Sequence, residues 1–562
     1  MLRVQCLASS CFYGLIVSRR LSFFLLLLLI LGLTLPVLAL VASSLPGMAA
    51  LMGWVASPAA DILREMAGTV LPDYLQTTLW LAVAVAVGVT LVGTLAAIAI
   101  TLFEFPGRRV LEWALLLPLA MPAYVVAYAY TDFLQFSGPL QTTLRDVSGL
   151  QGRMFPEVRS VGGAAFVFIF SLYPYVYLLA RSALSERAAH LMEAARVLGA
   201  PLMRRIAEVA LPLARPAIAA GVALALMETL ADFGVSSYFG IQTFTAGIYK
   251  AWLAMDNRVA AAQLATLLLA LVGLLLWLEQ RAQARMRFAA ARLSHAHAGD
   301  ARSVVLHGRA RLLPWLVCGV PVLLGFALPV VLMLRPLQAQ EQMLPWGQFW
   351  VWSFNSARLA LVTSGLAVMV ALGLAMAQRR YAGRFTRAAV QLAGLGYAVP
   401  GAVVVVGLLL PLGWLQAVWP QSPVAALVTA TSWGLVWAYL VRFCAVALQS
   451  IQSGYARIPV NLDDSARLLG STGWDLMRRV HAPLLRRSTA VAALLVFVDV
   501  MKELPATLVL RPFDSDTLAV VTFQLARDER LGEAALPALA LVLVGLIPVA
   551  LLSRTLRTSA VR

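Results

Sequence analysis

EAARVLGAPLMRRIAEVALP, Glu193 to Pro212, is a polar, arginine-bearing stretch in a chain that is otherwise mostly apolar. A variant of it returns as DSARLLGSTGWDLMRRVHAPL, Asp464 to Leu484. In both, a glycine (Gly199, Gly470) stands thirteen residues before a proline (Pro212, Pro483). Glu193, Ala194, Ala195, Val197 and Leu198 read as a short helix with a small-residue face. Gly199 supplies the tolerant backbone at which a helix stops and the chain turns. Residues 201–210 then read as a second short helix, and Pro212 suits the start of the next one. Such a helix–turn–helix is too polar to enter a bilayer. One copy alone reads equally well as an arginine-anchored surface loop; two copies with the same spacing predict two equivalent knobs for a two-fold partner.

Composition sets the surroundings. The 562 residues are 61% hydrophobic and 13% charged, with a mean hydropathy of +0.83. A soluble chain of this length needs a charged surface that is missing here. The net charge of +17 does not point to nucleic acid, because the arginines lie between apolar runs and not in a basic, aromatic-bearing patch. Four scattered cysteines (Cys6, Cys11, Cys318, Cys444) form no CxxC, so neither a disulfide framework nor a metal site is expected.

Apolar runs of about 20 residues, enough to cross a bilayer, fall near 21–43, 78–101, 110–131, 161–180, 214–236 and 260–278. Six more fall near 312–334, 357–377, 388–412, 424–448, 487–508 and 534–553. The fold class expected is an all-α integral membrane protein of about twelve transmembrane helices. The first run follows Ser18-Arg19-Arg20; it is longer than the apolar core of an ordinary signal peptide and is read as a span.

Arginine gives the orientation. The segments before 21, at 102–109, 181–215, 279–311, 378–387, 450–487 and after 553 are Arg-rich, whereas 44–77 and 509–533 are neutral or acidic. Alternate threading puts every Arg-rich segment on one side, so both termini and both quoted stretches are expected in the cytoplasm.

The repeat extends beyond these stretches. MPAYVV from Met121 answers VPGAVV from Val399, METLADFG from Met227 answers MKELPAT from Met501, and TFTAGIY from Thr243 answers DTLAVVTF from Asp516. The expected organisation is a first six-helix domain at 1–280, a basic cytoplasmic linker at 281–310 and a second six-helix domain at 311–562. Six helices per half make the copies parallel. His295 and His297 in the linker lack further ligands and are read as solvated.

At these residues the chain resembles the permease subunit of a binding-protein-dependent ABC importer, of the fused two-domain, type I kind. The family motif reads EAA, three residues, G, nine residues, I-x-LP. Glu193, Ala194, Ala195, Gly199, Leu211 and Pro212 match it, with Val209 at the Ile position. The second copy keeps Ala466, Gly470, Val480 and Pro483, with Asp464 for Glu, Ser465 for Ala and Ala482 at the Leu position. The resemblance implies that each loop seats in one of two cytoplasmic ABC ATPase subunits, that a periplasmic binding protein delivers substrate, and that the chain lies in the lipid of a bacterial inner membrane. It implies that ATP and Mg are bound by the partners and that this chain holds no cofactor and no metal. The chain itself offers no P-loop: its two lysines sit in Tyr-Lys250-Ala and Met-Lys502-Glu, neither in the Gly-Lys-Ser/Thr setting that holds phosphates. No enzyme activity is expected.

The stretches Met227 to Trp252 and Val498 to Leu539 are most similar to ferric-iron transport permeases, with thiamine, 2-aminoethylphosphonate, polyamine and oxyanion importers as related branches. Charges on spanning helices are costly and by default functional. Glu228 lies about 22 Å along its helix at the usual rise, Asp232 one turn beyond, and Lys502 and Glu503 lie similarly deep in theirs. The acids suit a hard cation; they equally suit helix caps, and Lys502 argues against a simple cation funnel. A twelve-helix secondary carrier would instead show a charged motif between its second and third helices, where only Phe105-Pro-Gly-Arg108-Arg109 stands. An intramembrane enzyme would need a catalytic set, and no HExxH or GxSxG is present.

Overall fold

The computed structural model describes residues 27–45, 58–149, 152–153, 155–185, 189–290, 304–339, 345–380, 383–471 and 474–559. The Arg19-Arg20 pair and the linker histidines lie outside them. Helices dominate; the sole β pairing among the described residues is a two-residue parallel bridge of Phe103–Glu104 with Val304–Val305.

Ten described helices are long and apolar enough to cross a membrane, and an eleventh span is formed if Arg108–Ala120 and Ala123–Ser148, which meet at 90°, count together. The twelfth expected run is helical over Ala482–Lys502. It carries Arg486, Arg487, Asp499 and Lys502, which take it out of the purely apolar class. The bend in the third run falls at Met121-Pro122, where the proline opens a new helix with no N–H to offer the previous one.

Among the expected runs that are broken, two break at an acid. The run at 388–412 is instead divided into Arg384–Gly394 and Gly401–Val418, and the run at 424–448 into Pro423–Thr429 and Ser432–Tyr455. The run at 214–236 is a helix Leu211–Ala231 followed by a short helix Gly234–Phe239. The run at 487–508 is Ala482–Lys502 followed by Pro505–Leu510. The breaks fall at Asp232 and Glu503, both in extended backbone (ψ 133° and 124°). The two acids are separated by the same number of residues as Gly199 and Gly470. The structure therefore pairs Asp232 with Glu503 and Glu228 with Asp499, correcting the register read from Met227 and Met501. The third repeat pair holds: Thr243 and Thr517 each cap the following helix, accepting from Ala246 N and Val520 N at 3.4 Å.

The chain packs as two compact units that cut across the sequence halves. One holds the described part of the first span through Ser43 together with Asn355–Ser515; the other holds Ser44–Phe354 together with the C-terminal segment from Asp516. In the first unit, Trp437 Nε1 donates to Gly32 O at 2.8 Å. A side chain on Gly407 would meet Pro36 O at 2.1 Å, so only glycine lets the N-terminal helix lie against Gly401–Val418. In the second unit, the final helix Leu531–Ser559 packs on Leu518–Arg527 and Leu328–Ala339. Hydropathy finds helices but does not say which neighbours they choose.

Small residues set the helix spacing, as expected where apolar side chains gain little by leaving lipid. In the second unit, Leu71–Leu102 and Leu211–Ala231 both pack on Val161–Ala183. A Cβ on Gly93 would meet Val176 Cβ at 2.7 Å, and one on Gly221 would meet Val176 Cα at 2.6 Å.

Candidate functional site

The two quoted stretches fold alike. Ala189–Val197 is a helix carrying Glu193, Ala194 and Ala195, and Val460–Leu468 is its counterpart carrying Asp464, Ser465 and Ala466. Both end in one closed hydrogen-bond motif. Gly199 N donates to Arg196 O and Ala200 N to Ala195 O, both at 3.0 Å; Gly470 N donates to Arg467 O and Ser471 N to Ala466 O, again at 3.0 Å. This is the Schellman stop, which requires a left-handed residue after the helix. Gly199 and Gly470 supply it with φ of +82° and +88°. The glycine of the motif, which survives the repeat, is thus accounted for by backbone geometry.

The second short helix expected at 201–210 is not separate. Leu202–Arg205 runs through a π-helical turn, Ile206–Ala210, into Leu211–Ala231, with Pro212 in the first turn. Trp474–Leu476, Met477–His481 and Ala482–Lys502 repeat this, with Pro483 at the same place. Continuity has a mechanical consequence: a push on the loop is delivered straight to the long helix.

The apolar residues before each glycine point outward. Val197 and Leu198 are 82% and 86% exposed, and Leu468 and Leu469 are 89% and 87% exposed. A single exposed leucine means little. A pair repeated at equivalent positions, beside the half-exposed Glu193 and the exposed Asp464, makes two matching apolar tips. The acids themselves form only local pairs, Glu193 with Arg196 at 3.4 Å and Asp464 with Arg467 at 3.1 Å.

What holds each loop differs. Asp463, one residue before the motif acid, is buried and accepts from Arg379 Nε at 2.6 Å and Nη2 at 3.0 Å. Its Oδ1 also lies 3.1 Å from His481 Nε2, whose Nδ1 lies 3.1 Å from the Tyr455 hydroxyl. Arg379 further donates to Ile458 O and Pro459 O. The equivalents of Tyr455, Asp463 and His481 in the first loop are Leu184, Met192 and Ala210, all buried. One loop is held by an ionic network and the other by apolar burial. Sequence reading missed Asp463, Arg379 and His481; an acid doubled at Asp463-Asp464 was the available signal.

The four residues singled out on the spanning helices belong to different units, Lys502 and Glu503 to the first and Glu228 and Asp232 to the second. Glu503 is buried, and both its oxygens are fully engaged. Oε1 accepts from Arg442 Nη1 at 3.0 Å and Ala506 N at 2.8 Å; Oε2 accepts from Thr507 N at 3.0 Å and Thr507 Oγ1 at 2.6 Å. It caps Pro505–Leu510 and neutralises Arg442, a charge that sat unremarked inside the apolar run 424–448. Asp232 caps Gly234–Phe239 through Oδ1, accepting from Val235 N at 2.9 Å and Ser236 N at 3.4 Å. Glu228 and Lys502 are half-exposed, as is Asp499. Among the described residues no three His, Cys, Asp or Glu side chains are grouped to hold a metal ion. Cys318 and Cys444 are buried free thiols.

Comparison with known proteins agrees with this architecture. Residues 89–288 match the family "binding-protein-dependent transport system inner membrane component". The chain is 26% identical over 489 residues, 86% of its length and 90% of the relative's, to the Fe(3+)-transport system permease protein FbpB 2 of Haemophilus influenzae. It is 24% identical over 459 residues, 77% of this chain and 78% of the relative, to the "Probable ABC transporter permease protein y4fN" of Sinorhizobium fredii. A shorter match, 31% over 147 residues, covers 25% of this chain and 49% of the sulfate transport system permease protein CysT of Salmonella typhimurium. Ten or more apolar helices, a doubled loop and the matched segment point to one resemblance. The chain is a multi-pass helical membrane protein that is similar, over most of its length, to permease subunits of binding-protein-dependent ABC importers.

Proposed function

We propose that this permease forms the path by which iron(III), delivered by a periplasmic binding protein, enters the cytoplasm, driven by ATP and Mg on two separate ATPase subunits. The observation that carries the two-ATPase reading is the pair of Schellman-stopped loops with matching apolar tips. The iron assignment rests on similarity along nearly the whole of FbpB 2. In this reading Glu193, Ala194, Ala195 and Gly199 of the first loop, with Leu211 and Pro212 of the helix it drives, couple to one ATPase. Asp464, Ser465, Ala466, Gly470 and Pro483 couple to the other. The repeats 1–280 and 311–562, joined by the linker 281–310, act as two mechanical halves although their terminal helices pack across. Both termini and both loops face the cytoplasm. Glu228, Asp232, Lys502 and Glu503 are assigned to the broken-helix region of the pathway, the setting in which transporters place substrate contacts.

The test is uptake in proteoliposomes holding the permease, its ATPase and its binding protein. The reading expects ATP-dependent accumulation of iron(III) and none of thiamine, 2-aminoethylphosphonate, spermidine or sulfate. Accumulation of one of those instead, without iron, would replace the substrate and keep the importer.

A further inference from the structure

We infer that the two equivalent break-point carboxylates have opposite roles, and that only Asp232, with the phenol of Tyr128, offers a transit site for a hard trivalent cation. This rests on the iron reading above.

The asymmetry is one of free valence. Glu503 has an arginine and three further donors on its two oxygens. It has nothing left for a ligand. Asp232, at the equivalent break, uses Oδ1 for two backbone N–H groups. Among the described contacts no side chain donates to its carboxylate, and no Lys or Arg pairs with it. Asp232 as a whole residue is half-buried, whereas Glu503 is buried. Glu228 stands one helical turn earlier, on the helix Leu211–Ala231.

A second observation points to the same place. Tyr128 is fully buried on Ala123–Leu134, and its hydroxyl has no hydrogen-bond partner. Its ring meets that of Tyr238, on the short helix that Asp232 caps, at 4.5 Å between centroids. Ser236 Oγ, in the short helix that Asp232 caps, is likewise buried without a partner. Leaving buried hydroxyls unpaired is costly, and such groups call for a reason. Arg159 lies over the Tyr238 ring at 5.0 Å and is paired with Glu529 at 3.3 Å. In the second half the positions equivalent to Tyr128 and Tyr238 are Val406 and Val509, which offer no oxygen.

Carboxylate, phenol and hydroxyl oxygens are the donors that hard, highly charged cations select. Binding would displace the phenolic proton to solvent, since a metal ion deprotonates its ligand, and form the oxygen–iron bond without any change of oxidation state. The set is too small to close around the ion, which suits passage and not storage.

The test uses the purified permease–ATPase complex titrated with iron(III) nitrilotriacetate, nucleotide-free and ATP-bound, reading the visible phenolate-to-iron charge-transfer band. The wild type should show the band in at least one state, Tyr128→Phe should lose it, and Asp232→Asn should weaken iron binding at least tenfold. Asp528→Asn, at an exposed residue outside the spanning helices, should leave the band unchanged. A wild type without the band, or a band undiminished in Tyr128→Phe, overturns the site. Parallel uptake assays separate the two readings. Iron uptake undiminished in Asp232→Asn overturns the site and leaves the substrate standing, whereas a wild type that carries no iron overturns both.

Discussion

Arg379 holds Asp463 in a two-pronged ion pair, Nε to Oδ2 at 2.6 Å and Nη2 to Oδ1 at 3.0 Å, at the root of the second loop. Burial by itself would raise the Asp463 carboxyl, but hydrogen bonds from Arg379 and His481 outweigh it and hold the group below its usual range. The pair ties the loop helix Val460–Leu468 to the end of Trp346–Arg380.

Removing one partner strands a buried charge, at a cost of about 3–5 kcal/mol. Arg379→Ala or Asp463→Asn should therefore loosen the second loop, seen as faster proteolytic nicking near Gly470 and reduced ATPase stimulation. Replacing Met192, the equivalent in the first loop, with Leu should change neither.

The same pair sets a pH expectation. A carboxyl whose folded value is depressed contributes stability above its unfolded value, about 4, and loses it as pH falls through the lower folded value. Protection of the second loop from proteolysis should be flat from pH 8 to pH 5 in the wild type. A steep loss across that range would contradict the ion pair as its anchor.

At Gly199 and Gly470 a Cβ would meet nothing within 4 Å, so substitution there costs backbone strain alone. Alanine in the left-handed region should cost about 1–2 kcal/mol and asparagine less, because asparagine tolerates that conformation. Proline, barred from it, should abolish the stop. ATPase stimulation should fall in the order Gly, Asn, Ala, Pro at either position, with membrane insertion intact. Equal activity across the series would remove the turn from the mechanism.

Packing gives an independent check on the second unit. Gly221→Ala drives a methyl to 2.6 Å from a backbone atom, Val176 Cα, which cannot swing aside. A loss of about 1–3 kcal/mol is expected, read as a lower melting temperature in detergent. Gly319→Ala, in open space, is the neutral comparison.

The loops were legible because Gly199 and Gly470 each do something that only a residue tolerant of positive φ does well, and that requirement survives in sequence as fixed spacing. The spans were legible because hydrocarbon demands long apolar runs. The breaks at Asp232 and Glu503 were not, since an acid that caps a helix looks the same in sequence as one inside it. Arg442 was hidden for the opposite reason: its partner Glu503 is distant in sequence, so a single charge passed as noise in an apolar run. The crossing of the terminal helices depends on close approaches such as Gly407 to Pro36, which no periodicity encodes.

The central claim is that one chain presents two docking loops to two ATPase subunits. Native mass spectrometry of the complex, with photo-crosslinkers placed at Leu198 and Leu469, tests it most directly. The account predicts one permease with two ATPase subunits, each position crosslinking to an ATPase, and loss of one subunit's crosslink when only its own loop glycine is changed to proline. A complex with a single ATPase, or crosslinks from neither position, would contradict it.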